Sequence, residues 1–66
     1  MSSGEIEHLL RKHGFEERRQ TGSHKIFFHP ERRKISVVPT GRKDLPIGTM
    51  KSILKQAGID WKELLR

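Results

Sequence analysis

Hydrophobic positions recur along the chain in two different rhythms. Near the start, Ile6, Leu9 and Leu10 fall at three- and four-residue spacing behind Ser2 and Ser3, which predicts a short amphipathic helix. Ser2 and Glu5 stand in capping-box spacing, where a hydroxyl and a carboxylate each satisfy a backbone N–H that the helix leaves free. Gly14 is placed to end the helix in the positive-φ conformation that helix termini favour. The rhythm then shortens. Phe15–Gln20 reads as a polar first strand, Thr21-Gly22 as a turn, and Ser23–His29, with Ile26, Phe27 and Phe28, as a second strand. Pro30-Glu31-Arg32-Arg33 reads as a hairpin loop, its proline pre-set for a turn position. Lys34–Pro39 carries Ile35, Val37 and Val38 and predicts a third strand; Thr40–Pro46 is a polar loop. Met50, Ile53, Leu54 and Ala57 return to helical spacing. Gly58 is a stop signal, and Ile59 behind it supplies the apolar contact common at such caps. Asp60 and Glu63 repeat the capping-box spacing ahead of a short terminal helix with Trp61, Leu64 and Leu65.

The order α-β-β-β-α with a short C-terminal helix describes one domain over residues 1–66. It belongs to the α+β class: a three-stranded antiparallel sheet with both helices on one face, a two-layer sandwich. The other face is left bare. Alternation puts His24, Ile26 and Phe28 on one side of the second strand and Lys25, Phe27 and His29 on the other. In the third strand Ile35 and Val37 share a side, opposite Ser36 and Val38. Apolar groups thus stand on both sides of a sheet that helices cover on one. Ile26, Phe28, Ile35 and Val37 are therefore expected on the bare side, as a protein-binding surface. The plainer reading makes them the flank of a small twisted sheet.

Composition narrows the function. In 66 residues, 14 Lys+Arg stand against 8 Asp+Glu, a formal charge of +6. The chain has room for one small domain and for no deep, enclosed cavity. It contains no apolar run long enough to span a membrane and no secretory-signal pattern at its start. Cysteine is absent, which excludes disulfide scaffolds and zinc–thiolate sites and fits a reducing, cytoplasmic setting. The charge is concentrated. Residues 1–22 carry four basic and four acidic side chains, whereas residues 23–43 carry Lys25, Arg32, Arg33, Lys34, Arg42 and Lys43 against Glu31 alone. Such a field attracts polyanions and gives salt-sensitive affinity for phosphate backbones. With no Tyr, three Phe and one Trp, a base-stacking platform for single strands is poorly supported. The charge by itself leaves two partner classes open, a nucleic acid or an acidic protein.

His8 and His13 lie five apart on the first helix, not at the four-residue spacing that lets two imidazoles share a metal. His24 and His29 should point to opposite faces of their strand. No metal and no cofactor is expected. His24, directly after Gly22-Ser23 and inside the basic third, has the group needed for proton transfer near neutral pH. Gly48 and Thr49, at or near the N-terminus of the second helix, offer backbone N–H groups suited to a phosphate; the plainer reading makes Thr49 a helix cap.

Gly22-Ser23-His24, followed by Phe27, His29-Pro30, Val38-Pro39, Asp44-Leu45 and the run GTMKSILKQAGI from Gly48 to Ile59, resembles the HicA toxin family. The resemblance spans nearly the whole chain. It implies a double-stranded-RNA-binding-like fold and the toxin of a type II toxin–antitoxin pair. It also implies a ribosome-independent, metal-independent endoribonuclease acting on mRNA, neutralised by a HicB-like antitoxin. The family's essential histidine maps to His24. Many members carry another histidine just after the Val-Pro pair, where this chain has Thr40 and Gly41. The expected site is then His24 as general acid or base, with RNA contacts from Ser23, Lys25, Arg32, Arg33, Lys34, Arg42, Lys43, Gly48 and Thr49. Alternation sets Lys25 on the face opposite His24, so Arg42 and Lys43 are better placed to stabilise a phosphorane. Two other functions stay open: a non-catalytic double-stranded-RNA-binding module of the same fold, and a toxin-like protein whose main role is complex formation. The expected partners are mRNA and the antitoxin, in a homodimer or a toxin–antitoxin hetero-oligomer, with no membrane.

Overall fold

The computed structural model describes the chain to residue 65 and its side chains to Glu63. Helix α1 spans Ser3–Lys12. Ser2 caps it: its hydroxyl accepts from the Glu5 N–H at 3.2 Å, and Glu5 Oε1 accepts from the Ser2 N–H at 3.0 Å. The Ser2 N–H, and after it the Ser2 hydroxyl, hold the Glu5 carboxyl below the ordinary carboxylate range. A carboxyl depressed by folding adds stability at neutral pH and loses it as acid titrates the group through its folded value.

At the other end of α1, the Gly14 N–H donates to the Arg11 carbonyl and the Phe15 N–H to the Leu10 carbonyl, both at 3.0 Å. This paired closure needs a left-handed residue, and Gly14 supplies φ 91°. It also turns Phe15 into the core. Strand β1 therefore begins one residue later than the pattern predicts, at Glu16, and runs to Thr21.

Strands β2 (His24–His29) and β3 (Lys34–Pro39) complete an antiparallel sheet in the order β1-β2-β3. Thr21 lies opposite His24, so the first hairpin turns on Gly22-Ser23 and β2 starts at His24 rather than Ser23. Gly22 has φ 57°, the positive value a two-residue turn with Gly first requires. The second hairpin uses the predicted loop of residues 30–33. His29 fastens it: Nδ1 accepts from the Arg32 N–H at 3.1 Å, and the carbonyl accepts from the Arg33 N–H at 2.8 Å.

Helix α2 spans Ile47–Ala57 and ends as α1 does. Gly58, at φ 72°, donates to the Lys55 carbonyl, and the Ile59 N–H donates to the Leu54 carbonyl. Ile59 is buried like Phe15. A 3₁₀ helix follows over Trp61–Leu65. Asp60 Oδ1 accepts from the Lys62 N–H, but the side chain of Glu63 pairs with His13 Nε2 at 2.7 Å instead of reaching back to Asp60. The expectation for the Leu64 and Leu65 side chains lies outside the described residues.

Both helices pack on one face of the sheet. Ile6 and Leu10 of α1, Ile53, Leu54 and Ala57 of α2, Phe27 and Val38 of the sheet, and Phe15, Leu45 and Ile59 from the connections form the core. Buried Ser36 ties β3 to α2 by donating to the Ile53 carbonyl at 2.9 Å. Gln56 Oε1 accepts from the Val37 N–H at 3.3 Å on the outer edge of β3. Of the bulky apolar side chains in β2 and β3, only Phe27 and Val38 join this core. Ile26, Phe28, Ile35 and Val37 occupy the opposite face, where Ile35 is 54% and Val37 36% exposed. Among the described residues no helix is long and apolar enough to cross a membrane.

Two glycine substitutions separate backbone strain from overlap. A Cβ on Gly22 meets nothing within 4 Å, whereas one on Gly14 falls 2.8 Å from His29 Nε2. Gly22→Ala should cost about 1–2 kcal/mol, for the left-handed backbone alone. Gly14→Ala should cost more, because His29 must also move, and urea denaturation of the two variants reads the difference. Equal losses would show that the ring does not constrain Gly14.

Candidate active site on the open sheet face

His24 opens β2 directly after the Gly22-Ser23 turn, opposite Thr21 on one side and Pro39 on the other. Its side chain points to the face the helices leave bare, shared with Ile26, Phe28, Ile35 and Val37, and it is exposed. Among the described residues no side chain fixes the imidazole. Both of its nitrogens are open to a substrate, and an exposed neutral ring can accept or donate a proton. A shallow concavity bordered by Met1, Glu5, His8 and Lys12 lies on the outer side of α1, away from this face.

The surrounding elements converge on the His24 end of the sheet. Glu7 of α1 meets Lys25 while Gly14 abuts His29, so α1 runs alongside β2 in the same sense and starts near His24. Ser36 bonds to Ile53, and Lys34 Nζ lies 2.8 Å from where a Cβ on Gly58 would stand. Helix α2 thus runs against β3 and also starts at the His24 end. The connecting loop is fastened there. The Ser3 hydroxyl donates to the Arg42 carbonyl and accepts from the Arg42 N–H at 2.7 Å. The Thr40 N–H and hydroxyl both donate to the Ser23 carbonyl.

Two positive helix ends therefore lie at the His24 end of the sheet, on the side away from its imidazole. Glu5 answers that of α1. Helix α2 has Pro46 at its N-cap, no side-chain cap and no acidic residue in its first turn. Thr49 is not the cap the plainer reading made it. It lies with Gly48 inside the first turn, whose N–H groups are free of side-chain acceptors.

The expected RNA-contacting residues separate into three groups. Ser23, Arg42, Lys43, Gly48 and Thr49 gather at the His24 end. Arg32 and Arg33 sit in the opposite hairpin, beyond the far end of β2, roughly 17 Å along the strand at about 3.4 Å per residue. Lys25 and Lys34 belong to the helix-covered face. Lys25 Nζ pairs with Glu7 Oε1 at 3.0 Å and lies 3.8 Å from Glu17 Oε1. Glu7 is only 6% exposed, so this ammonium compensates a nearly buried carboxylate. Arg11 joins it, 3.0 Å from Glu17 and 3.8 Å from Glu7. The basic third of the sequence is thus divided by the fold, and its β2 lysine serves the core.

Two cations outside that third share the face of His24: Arg18 and Arg19 of β1. Alternation would have sent them to opposite sides. The register shifts between Glu17 and Arg19, however, and that irregularity has no signal in the sequence pattern.

A family model, HicA toxin of bacterial toxin-antitoxin, matches residues 3–59 of the 66. The chain belongs to the HicA toxin family. No curated protein matches it significantly. Membership makes it the toxin of a toxin–antitoxin system and gives it an antitoxin as partner. The α-β-β-β-α order with its 3₁₀ addition agrees with the double-stranded-RNA-binding-like fold implied for HicA proteins. The family match ends at Ile59, so the His13–Glu63 contact involves a segment outside it.

Lys25→Gln tests the division of charge. It leaves Glu7 nearly buried with Arg11 as its remaining cation, and should destabilise this HicA chain by about 1–3 kcal/mol. Its salt-dependent affinity for RNA should stay unchanged, measured alongside thermal melting. A loss of affinity with unaltered melting would return Lys25 to the RNA surface.

Proposed function

We propose that this HicA-family toxin is a metal-independent, ribosome-independent endoribonuclease acting on mRNA in the cytoplasm, with His24 as its general acid–base. One observation carries the reading. His24 is exposed on a bare sheet face at the end where two helix N-termini and the Arg42–Lys43 loop converge. RNA brings its own nucleophile, so the protein needs no bound one. His24 would take the proton of a 2′-hydroxyl. The freed oxygen then bonds to the adjacent phosphorus while the bond to the 5′-oxygen breaks. The imidazolium returns a proton to that leaving oxygen, directly or through water.

Charge that develops on the phosphorane is met by cations and N–H groups already in place, which lowers the barrier without reorganisation. Arg42, Lys43 and the first turn of α2, with Gly48 and Thr49, are the groups at this end. Ser23 holds Thr40 through its carbonyl, which fixes the loop beside the histidine. Arg32 and Arg33 would reach a neighbouring stretch of the same strand of RNA rather than the scissile phosphate.

The strip Ile26, Phe28, Ile35 and Val37 is the docking surface for the antitoxin in this reading. The exposure of Ile35 and Val37 beside the site supports it. Toxin and antitoxin then form a hetero-oligomer.

His24→Ala removes an exposed ring that forms no hydrogen bond among the described residues, so the fold should survive. Cleavage of an RNA oligonucleotide should fall by about 10²–10⁴-fold. Growth arrest on expression should disappear; in the otherwise unaltered chain, Ile35→Ser should abolish rescue by a co-expressed HicB-like antitoxin while arrest remains. Full cleavage by purified His24→Ala would refute the catalytic assignment. RNA binding by the wild-type chain without new RNA ends would favour the non-catalytic module.

A further inference from the structure

Arg18 and Arg19 are consecutive, and a regular strand would send one of them to each face. The register of β1 on β2 prevents this. Glu17 lies opposite Phe27 and Arg19 opposite Ile26, which leaves Arg18 as an extra residue. Such a bulge shifts the alternation of everything after it. Arg19 and Thr21 consequently share the face of Ile26 and His24, and Gln20 takes the helix side. Arg18 stays on the open face as well, its Cζ 4.9 Å from the Phe28 ring centroid.

The bulge therefore delivers two adjacent guanidiniums to the face that carries His24. Arg19 stands two residues from Thr21, the direct partner of His24. That diagonal relation places their Cα atoms roughly 7–8 Å apart, within reach of a long side chain. Both arginines differ from Arg11 and Lys25 on the covered face. Arg11 and Lys25 are compensated by Glu7 and Glu17. Among the described residues, neither Arg18 nor Arg19 forms a salt bridge. Glu16 shares their face opposite Phe28, at the end away from His24, and makes none with them. An exposed, uncompensated guanidinium presents a planar fork that suits two oxygens of a phosphate.

We propose that Arg19 binds the RNA phosphate on which His24 acts, with Arg18, stacked on Phe28, receiving the next phosphate along the face. The inference rests on the ribonuclease reading for its chemistry but not for its geometry. RNA then crosses the bare sheet on its β1 side, over Arg19 and His24, rather than the covered side, where Arg11 and Lys25 are paired with Glu7 and Glu17. Arg19 contributes most when the phosphorane carries its extra charge, so its loss should lower turnover more than binding. Charges on β1 also guard an unpaired sheet edge, a duty any cation performs. A lysine at 19 retains that duty and the charge but not the fork.

The test uses the full chain with Arg19→Gln, Arg19→Lys and, as an off-face charge control, Lys55→Gln on the exposed side of α2. Affinity for a 2′-O-methyl RNA oligonucleotide is measured over a salt series, and single-turnover cleavage on the unmodified strand. Arg19→Gln should reduce the slope of log affinity against log salt by about 0.7, one phosphate contact on a single strand. It should slow cleavage by about 10²-fold. Arg19→Lys should recover the slope but not the rate, and Lys55→Gln should change neither. If the wild type cleaves and Arg19→Gln matches Lys55→Gln in slope and rate, the proposal is overturned and the ribonuclease reading stands. If the wild type binds without cleaving, the ribonuclease reading fails, and the slope alone decides whether Arg19 holds phosphate. Recovery of the full rate by lysine would reduce Arg19 to a general charge and overturn its role at the reacting phosphate.

Discussion

Two short helices can cover one face of a three-stranded sheet and no more, and the rest of this molecule follows from that limit. A 66-residue chain buries a modest share of its surface, and this one assembles its core from both helices and two sheet side chains, Phe27 and Val38. The identical closures at Gly14 and Gly58 serve the same end, since each turns the next residue, Phe15 or Ile59, under the helices. Four further apolar side chains of the sheet remain outside. Ile35 and Val37 stay exposed on the face that also carries the exposed His24.

The same limit sorts the charge. On the covered side Glu7 lies almost buried and draws Lys25 and Arg11 to itself, so those two cations are compensated within the fold. On the bare side the bulge in β1 sets Arg18 and Arg19 beside His24 with no acidic partner among the described residues. The net charge of +6 is thus divided by the fold, with Arg42 and Lys43 on the loop at the end where both helices begin. A long polyanion with an internal nucleophile suits such an open site, which needs no enclosed pocket.

Much of this was legible in the residues. Local signals carried the elements: Ser2 with Glu5, Gly14, the β-branched run to Val38, and Gly58 with Ile59 all act over a few residues. Alternation correctly placed His24 with Ile26 and Phe28, and Lys25 opposite them. Thr49 and Glu63 were misread because caps compete with other partners: Pro46 takes the cap position before α2, and His13, fifty residues away, captures Glu63. The role of Arg19 was invisible for a different reason. One unpaired residue between Glu17 and Arg19 inverts every later face of β1, and that choice is made by pairing with β2 rather than by composition. Counting charge by segment likewise hid it, since residues 1–22 sum to zero while Arg11 pairs with Glu7 and Glu17 on the covered side and Arg18 and Arg19 stand on the bare one.

The central claim is that RNA lies on the bare sheet face across His24. Backbone chemical-shift mapping of the wild-type chain with uncleavable 2′-O-methyl RNA tests it most directly. The account predicts that the largest shifts fall on Arg19, Thr21, Ser23, His24, Ile26 and the Thr40–Arg42 loop. Shifts confined to the outer sides of the helices, at His8, Lys12, Lys51 and Lys55, would contradict it.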